Sequence, residues 1–338
     1  MSDLRSRLLG AVTSRAVDVP PVASFTQTAT VELMASSKAY WPKAHREAKP
    51  MSLLAVAGHT IAGLEAVRLP FSLTSEVATM GCTVDYHDGS IDVAPTVQRG
   101  LADLRSIRIP EPHEGVMGEV IEAVRMCRDS VGEEVPIIAG VTGPFTIAGH
   151  IRGINEILLD VVQNKELVQR ILESAWQVSA SFSRALADNG VDVLVIVEPT
   201  ASLIGPRYFK DFVLPYLRRS IRTARSPVVL HICGNSMPLL EMMVETGASC
   251  LSLDQKVSIA KAKEVVRGRC SVSGNVDPVA VLQMSSPEVV AEECMKILSE
   301  GVDVLAPGCG LSPSTPLGNL RSMVRARDLF CGGLGARH

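Results

Sequence analysis

The sequence predicts an α/β protein built as a closed (β/α)8 barrel, on three observations. Short apolar β-type runs alternate with longer amphipathic runs along the whole chain. The apolar runs are nearly continuous rather than alternating, the pattern of parallel strands buried on both faces. Eight such strand-then-helix units fit in 338 residues, a length at which an α/β barrel runs as one domain. A doubly wound open sheet would carry a glycine fingerprint after an early strand, and none is present; CGGLG (331–335) follows no strand.

The predicted strands are PPVASFT (20–26), EAVRLPFS (65–72), VPIIAGVT (135–142), VDVLVIVE (191–198), PVVLHIC (227–233), CLSLDQ (250–255), CSVSGN (270–275) and VDVLAPGC (302–309). Between them, 155–190 reads as one helical pattern. SPEVVAEECMKILSEG (286–301) carries a cap-then-proline start at Ser286-Pro287 and a glycine stop at Gly301. SMPLLEMMVETG (236–247) follows the same logic. The stretch 74–135 is long for a connection and reads as an insertion near the barrel mouth. Residues 1–338 are expected to form a single barrel domain with an N-terminal helical extension.

Composition narrows the function classes. Hydrophobic residues make up 46% and aromatics only 4%, so the core is aliphatic. The net charge is −3, with no long basic run, which argues against a nucleic-acid partner. The most apolar stretches, such as 191–197, are too short to cross a bilayer, and the charged N-terminus lacks a signal-type apolar core. The expected location is therefore cytoplasmic. Its eight cysteines are then expected to be reduced, most of them small buried apolar residues.

In such a barrel the chemistry sits where strands end, at the carboxyl face. Strand four ends in Glu198-Pro199-Thr200, strand five in His231 and Cys233, and strand six in Asp254-Gln255. Strand seven runs into Gly274-Asn275-Val276-Asp277-Pro278, and strand eight ends in Cys309. His231 and Cys233 share one strand face, because side chains repeat every two residues. Cys309, on the same rim, supplies a third soft donor. Two sulfurs and an imidazole favour zinc over magnesium or calcium, which prefer oxygen. The plain alternative is that His-x-Cys is strand packing. Cys250 and Cys270 begin strands, at the opposite face. Glu198 and Asp254 are catalytic candidates or carboxylates paired in the core. Asn275 and Asp277 are candidates for cofactor contact, although Asp277 also suits a turn cap. His45 and His113 read as loop residues.

VPPVASFTQTATVELM, VTGPFTIAG, EPTAS followed by FVLPYL, HICGN, GNVDP and PGCG occur in that order across nearly the whole chain. In these stretches the sequence resembles the methylcobamide:coenzyme M methyltransferases of the uroporphyrinogen decarboxylase-like superfamily. The resemblance implies a uroporphyrinogen decarboxylase-like TIM barrel with zinc held by His231, Cys233 and Cys309. Asp254, or less securely Glu198, then stands near the fourth position. It also implies methyl transfer from a methylated corrinoid, carried on a separate protein, to a small thiol, with coenzyme M as the leading acceptor. The protein would be a monomer or a homodimer. Rival readings are a related methyltransferase acting on folate or homocysteine, a tetrapyrrole decarboxylase, and a non-catalytic corrinoid-docking partner. The decarboxylases carry an arginine-rich motif near the N-terminus, where this chain reads SFTQTAT.

Overall fold

The computed structural model describes residues 3–335. The first strand of the main sheet is β1 (Val67–Leu69). β2 (Thr83–Asp85) and β3 (Thr96–Arg99) form a separate antiparallel hairpin. β4 (Ile137–Thr142), β5 (Val193–Val197), β6 (Val228–Ile232), β7 (Cys250–Leu253), β8 (Ser271–Val276) and β9 (Val304–Pro307) follow. The main sheet has seven parallel strands in the order β1-β4-β5-β6-β7-β8-β9.

The eighth stave is shorter than the run 20–26 suggests. Only Val22 pairs, in a single parallel bridge with Leu305. Pro20 and Pro21 lack the N–H that a regular strand would donate to its ladder. The short piece still bonds on both sides. The Ala23 N–H donates to the Leu305 carbonyl (3.1 Å) and the Leu305 N–H to the Pro21 carbonyl (3.0 Å). The Glu65 N–H, just before β1, donates to the Val22 carbonyl (2.9 Å). Those bonds join the last strand to the first and close the ring.

Strand burial follows the predicted pattern: β4, β5, β6, β8 and β9 are buried at every residue. One core cluster, including Ile138, Val193, Val195, Val229, Val304 and Ala306, fills the ring. A larger one lies between the ring and its helices. The helical run 155–190 is broken into Ile154–Gln163 and Lys165–Asp188. Asn164 leaves the helical region, and its side chain accepts from the Leu167 N–H, capping the second helix. The helix predicted after Ser286 spans Pro287–Ser299. Between β1 and β4 lie a short helix (Ser75–Met80), the β2/β3 hairpin and the long helix Gly115–Val131. The expected loop residue His45 is fully buried against Trp41, ring centroids 4.3 Å apart. No helix among the described residues is long and apolar enough to cross a membrane.

The ring closure is reinforced by a buried ion network. Glu65 receives Arg7 at 2.9 Å and Arg327, on the C-terminal helix, through two contacts of 2.9 Å. It also accepts the Val22 N–H at 2.7 Å. One carboxylate therefore ties both ends of the chain to the closing stave. Removing one member of a buried pair strands its partners. Glu65→Ala is expected to lower the unfolding free energy by about 3–5 kcal/mol, read from the denaturant midpoint at unchanged slope.

Candidate metal centre and its cleft

His231 lies within β6, and its register partner on β7 is Ser252. Its Nδ1 is 3.1 Å from the Ser252 carbonyl oxygen and 3.1 Å from the Ser252 hydroxyl. A carbonyl only accepts, so Nδ1 carries the proton and Nε2 presents a lone pair. That lone pair points to Cys233, with Nε2 and Sγ 3.1 Å apart. Cys309, two residues past the end of β9, brings its Sγ to 3.4 Å from that of Cys233. The three donor atoms lie within 4.8 Å of one another and form a group able to hold a metal ion. His231 is buried and both cysteines are half-buried, so the donor set is supported from below and open on one side.

The two sulfurs are hydrogen-bonded to each other, so their titrations are linked. Donation from the Cys233 thiol holds Cys309 well below the ordinary thiol value. The hydrogen bond to Cys309, together with burial, pushes Cys233 far above it. The other cysteines are different in kind. Cys127 and Cys294 are driven up to about 12 by burial in the core, and Cys82 to about 11.

The remaining residues singled out from the sequence stand outside the trio. Asp254 is buried beside it, but both oxygens serve the backbone. Oδ2 accepts the Gly234 N–H (2.8 Å) and Oδ1 the Lys256 N–H (2.9 Å). It thereby fixes the turn that follows Cys233. Glu198 is fully buried and faces away, onto the start of the helix Pro144–Arg152. It accepts the Phe145 N–H (2.9 Å), the Thr146 N–H (2.6 Å) and the Thr146 hydroxyl. A Cβ at Gly143 would strike the Glu198 carboxylate, so glycine there allows this close approach. Asn275, suggested for cofactor contact, donates instead to the carbonyls of Asp254 (3.0 Å) and Val257 (2.6 Å). Asp277 accepts the Val279 and Ala280 N–H groups at 2.8 Å each, the turn cap its position allowed.

A cleft of about 160 Å³ opens beside the trio, lined by His231, Cys233 and Cys309 on one side and by Pro70, Phe71, Leu73, Val197 and Pro199 elsewhere. Arg68, which the sequence reading passed over, also lines it. The available signal was an arginine set between apolar residues in a predicted strand. A second, wider cleft shares Phe71, Ser72 and Leu73 with the first and runs under the β2/β3 hairpin to His150.

The chain is similar to known proteins over nearly its whole length. The family model described as uroporphyrinogen decarboxylase (URO-D) matches residues 3–330. The chain is 38% identical over 327 residues to the methylcobamide:CoM methyltransferase MtbA of Methanosarcina acetivorans, covering 95% of this chain and 96% of that one. It is 34% identical over 332 residues to the methylcobamide:CoM methyltransferase MtaA of Methanosarcina barkeri, covering 97% and 98%. A solved methyltransferase structure from Methanosarcina mazei superposes with a TM-score of 0.94 at 37% identity, covering 98% and 99%.

Burial of Glu198 gives a test of its placement. Desolvation raises its carboxyl to about 7, from an ordinary value of 4.5, despite the three donors that oppose the shift. A carboxyl raised on folding contributes stability below its unfolded value and loses it as pH climbs through its folded value. Glu198→Gln removes this titration. The variant's melting temperature relative to wild type is expected to rise between about pH 5 and about pH 7.5, at about 2–4 °C per kcal/mol of linkage. A pH-independent difference would count against the shift.

Proposed function

The chain belongs to the uroporphyrinogen decarboxylase family, in its methylcobamide:CoM methyltransferase branch, and from that premise we propose that it transfers a methyl group from a methylated corrinoid to the thiol of coenzyme M, using zinc held by His231, Cys233 and Cys309. The observation that carries this reading is the convergence of one imidazole and two thiols at the mouth of a small cleft.

The donor set fits zinc. A tetrahedral zinc with bonds of about 2.3 Å to sulfur and about 2.05 Å to nitrogen has edges of about 3.8 Å between sulfurs and about 3.6 Å between nitrogen and sulfur. The sulfur pair at 3.4 Å and the nitrogen–sulfur pair at 3.1 Å lie within about half an ångström of those edges. Three protein ligands leave the fourth position to a substrate, the pattern of catalytic sites. When bound, zinc supplies a Lewis acid that lets a thiol coordinate as its thiolate at neutral pH.

The chain's own residues prepare the rest. Ser252 fixes the His231 tautomer, so its lone pair needs no rearrangement to accept a cation. Asp254, as a positioning residue, holds the Gly234 amide and with it the direction of Cys233. The apolar walls keep water from the acceptor sulfur. In the reaction the acceptor's S–H proton leaves to solvent, a sulfur–carbon bond forms and the carbon–cobalt bond breaks. The electron pair of that bond stays on the metal, taking Co(III) to Co(I). The corrinoid is expected on a separate protein that docks over the open side of the barrel. A tetrapyrrole decarboxylase would leave the three converging donors without a role.

Metal analysis tests the reading. Wild-type protein is expected to hold stoichiometric zinc, and Cys233→Ala and Cys309→Ala each to lose most of it. Methyl transfer from free methylcobalamin to coenzyme M should fall with zinc content, by a factor on the order of 100 or more. Retention of zinc by both variants, or full transfer after chelation, would refute the assignment. Uroporphyrinogen turnover insensitive to chelation would favour the decarboxylase.

A further inference from the structure

Arg68 presents the clearest unresolved charge in the molecule. It is the middle residue of β1, and its register partner is Ile138, a member of the core cluster inside the ring. The side chain therefore points inward. It is 4% exposed, yet it lines the cleft beside the metal trio. The guanidinium donates to two carbonyls, those of Pro70 and Phe25 (3.3 Å to the latter). Its Nε has no partner. No carboxylate among the described residues pairs with it, and burial alone lowers it to about 9, so it stays a cation at neutral pH.

Other buried arginines here are treated differently. Arg7 and Arg327 meet Glu65, and Arg128 meets Asp192 at 2.6 Å. A buried charge without a counter-ion is unfavourable by several kcal/mol unless something supplies one. The fold also makes deliberate room for it. A Cβ on Gly140, two residues past Ile138 on β4, would collide with the Arg68 guanidinium.

We propose that Arg68 binds an anionic group on the acceptor, so that the site selects short thiols with a sulfonate or carboxylate at the end remote from sulfur. The inference rests on the cleft being the place where a thiol is methylated, and it adds what sort of thiol that is. A cleft of about 160 Å³, well under the roughly 300–1,000 Å³ of sites for drug-sized ligands, brings the trio and the guanidinium within reach of one small molecule. The sulfur goes to the His231–Cys233–Cys309 end and the anion to the Arg68 end, with Phe71, Leu73 and Val197 against the carbons between. The planar fork suits two oxygens of one sulfonate or carboxylate, which a lysine ammonium would hold less specifically.

The test separates binding from turnover. Calorimetric titration with 2-(methylthio)ethanesulfonate, which has no thiol, reads the anion subsite directly. Wild type is expected to bind it saturably. Arg68→Met and Arg68→Lys should weaken it on the order of 10- to 100-fold, and the neutral analogue 2-(methylthio)ethanol by under about threefold. With methylcobalamin as donor, the preference for 2-mercaptoethanesulfonate over 2-mercaptoethanol should collapse in both variants, mostly through KM. Equal losses for charged and neutral ligands, or no loss, would overturn the proposal. So would a wild-type enzyme that does not distinguish the two thiols, a result that needs no variant to fold. If wild type binds the sulfonate through Arg68 but transfers no methyl group, the proposed function fails and the anion subsite stands. Methyl transfer to both thiols with equal efficiency does the reverse.

Discussion

Two sulfurs and an imidazole can meet over one point only if β6 and β9 finish at the same height on one rim. The register along the sheet sets that height. His231 is level with Val197 on one side and Ser252 on the other, and the ladder continues through β8 to β9. The ring must also be shut, because an open sheet would let β9 drift from β1. Closure depends on the bonds around Pro21–Ala23 and on Glu65, which gathers Arg7, Arg327 and the Val22 N–H at a single carboxylate. An ion network remote from the reacting atoms thus holds the frame on which the donor trio is built.

Three of the buried ionisable side chains are handled in three ways. Glu65 is neutralised by two arginines. Glu198 rests on the N-terminus of a helix, where N–H donors and the helix dipole favour an anion, yet burial still raises its carboxyl to about 7. Arg68 has only carbonyls. The first two are complete within the protein, and the third is not. A site is most readily recognised where a fold that satisfies its charges elsewhere leaves one open toward a cleft.

Much of this was readable from residue order. Period-two geometry places His231 and Cys233 on one face, and a strand end on the same rim makes Cys309 a candidate third donor. Other features depend on contacts between distant segments. Glu198 reads equally well as core or catalytic, because the helix start that receives it lies 52 residues earlier. Asn275 sits at a rim but is engaged by carbonyls 18 and 21 residues back. The first stave shrinks because Pro20 and Pro21 cannot donate, and the long helix breaks because Asn164 caps a new one. Arg68 gave only a weak signal, for a different reason. An arginine in an apolar run is common at strand ends, and the absence of a counter-ion is a property of the assembled core alone.

Charge counting links the two ends of the cleft. On the proposed function, two cysteine thiolates would balance the two positive charges of a zinc ion and leave the ligand set neutral. An acceptor thiolate would then make it −1, which would keep that sulfur electron-rich. A neutral thiol tail would leave the cleft with one surplus cation at Arg68 and one surplus anion at the metal, each partly desolvated. An anionic tail would pair the first and leave the remaining negative charge at the acceptor sulfur. Nearby carboxylates would weaken this arrangement. Glu198 is turned to its helix, and both oxygens of Asp254 are engaged by the Gly234 and Lys256 amides. The hydrogen bonds of both carboxylates are thus spent on backbone and Thr146 donors, and neither is offered to the His231–Cys233–Cys309 trio.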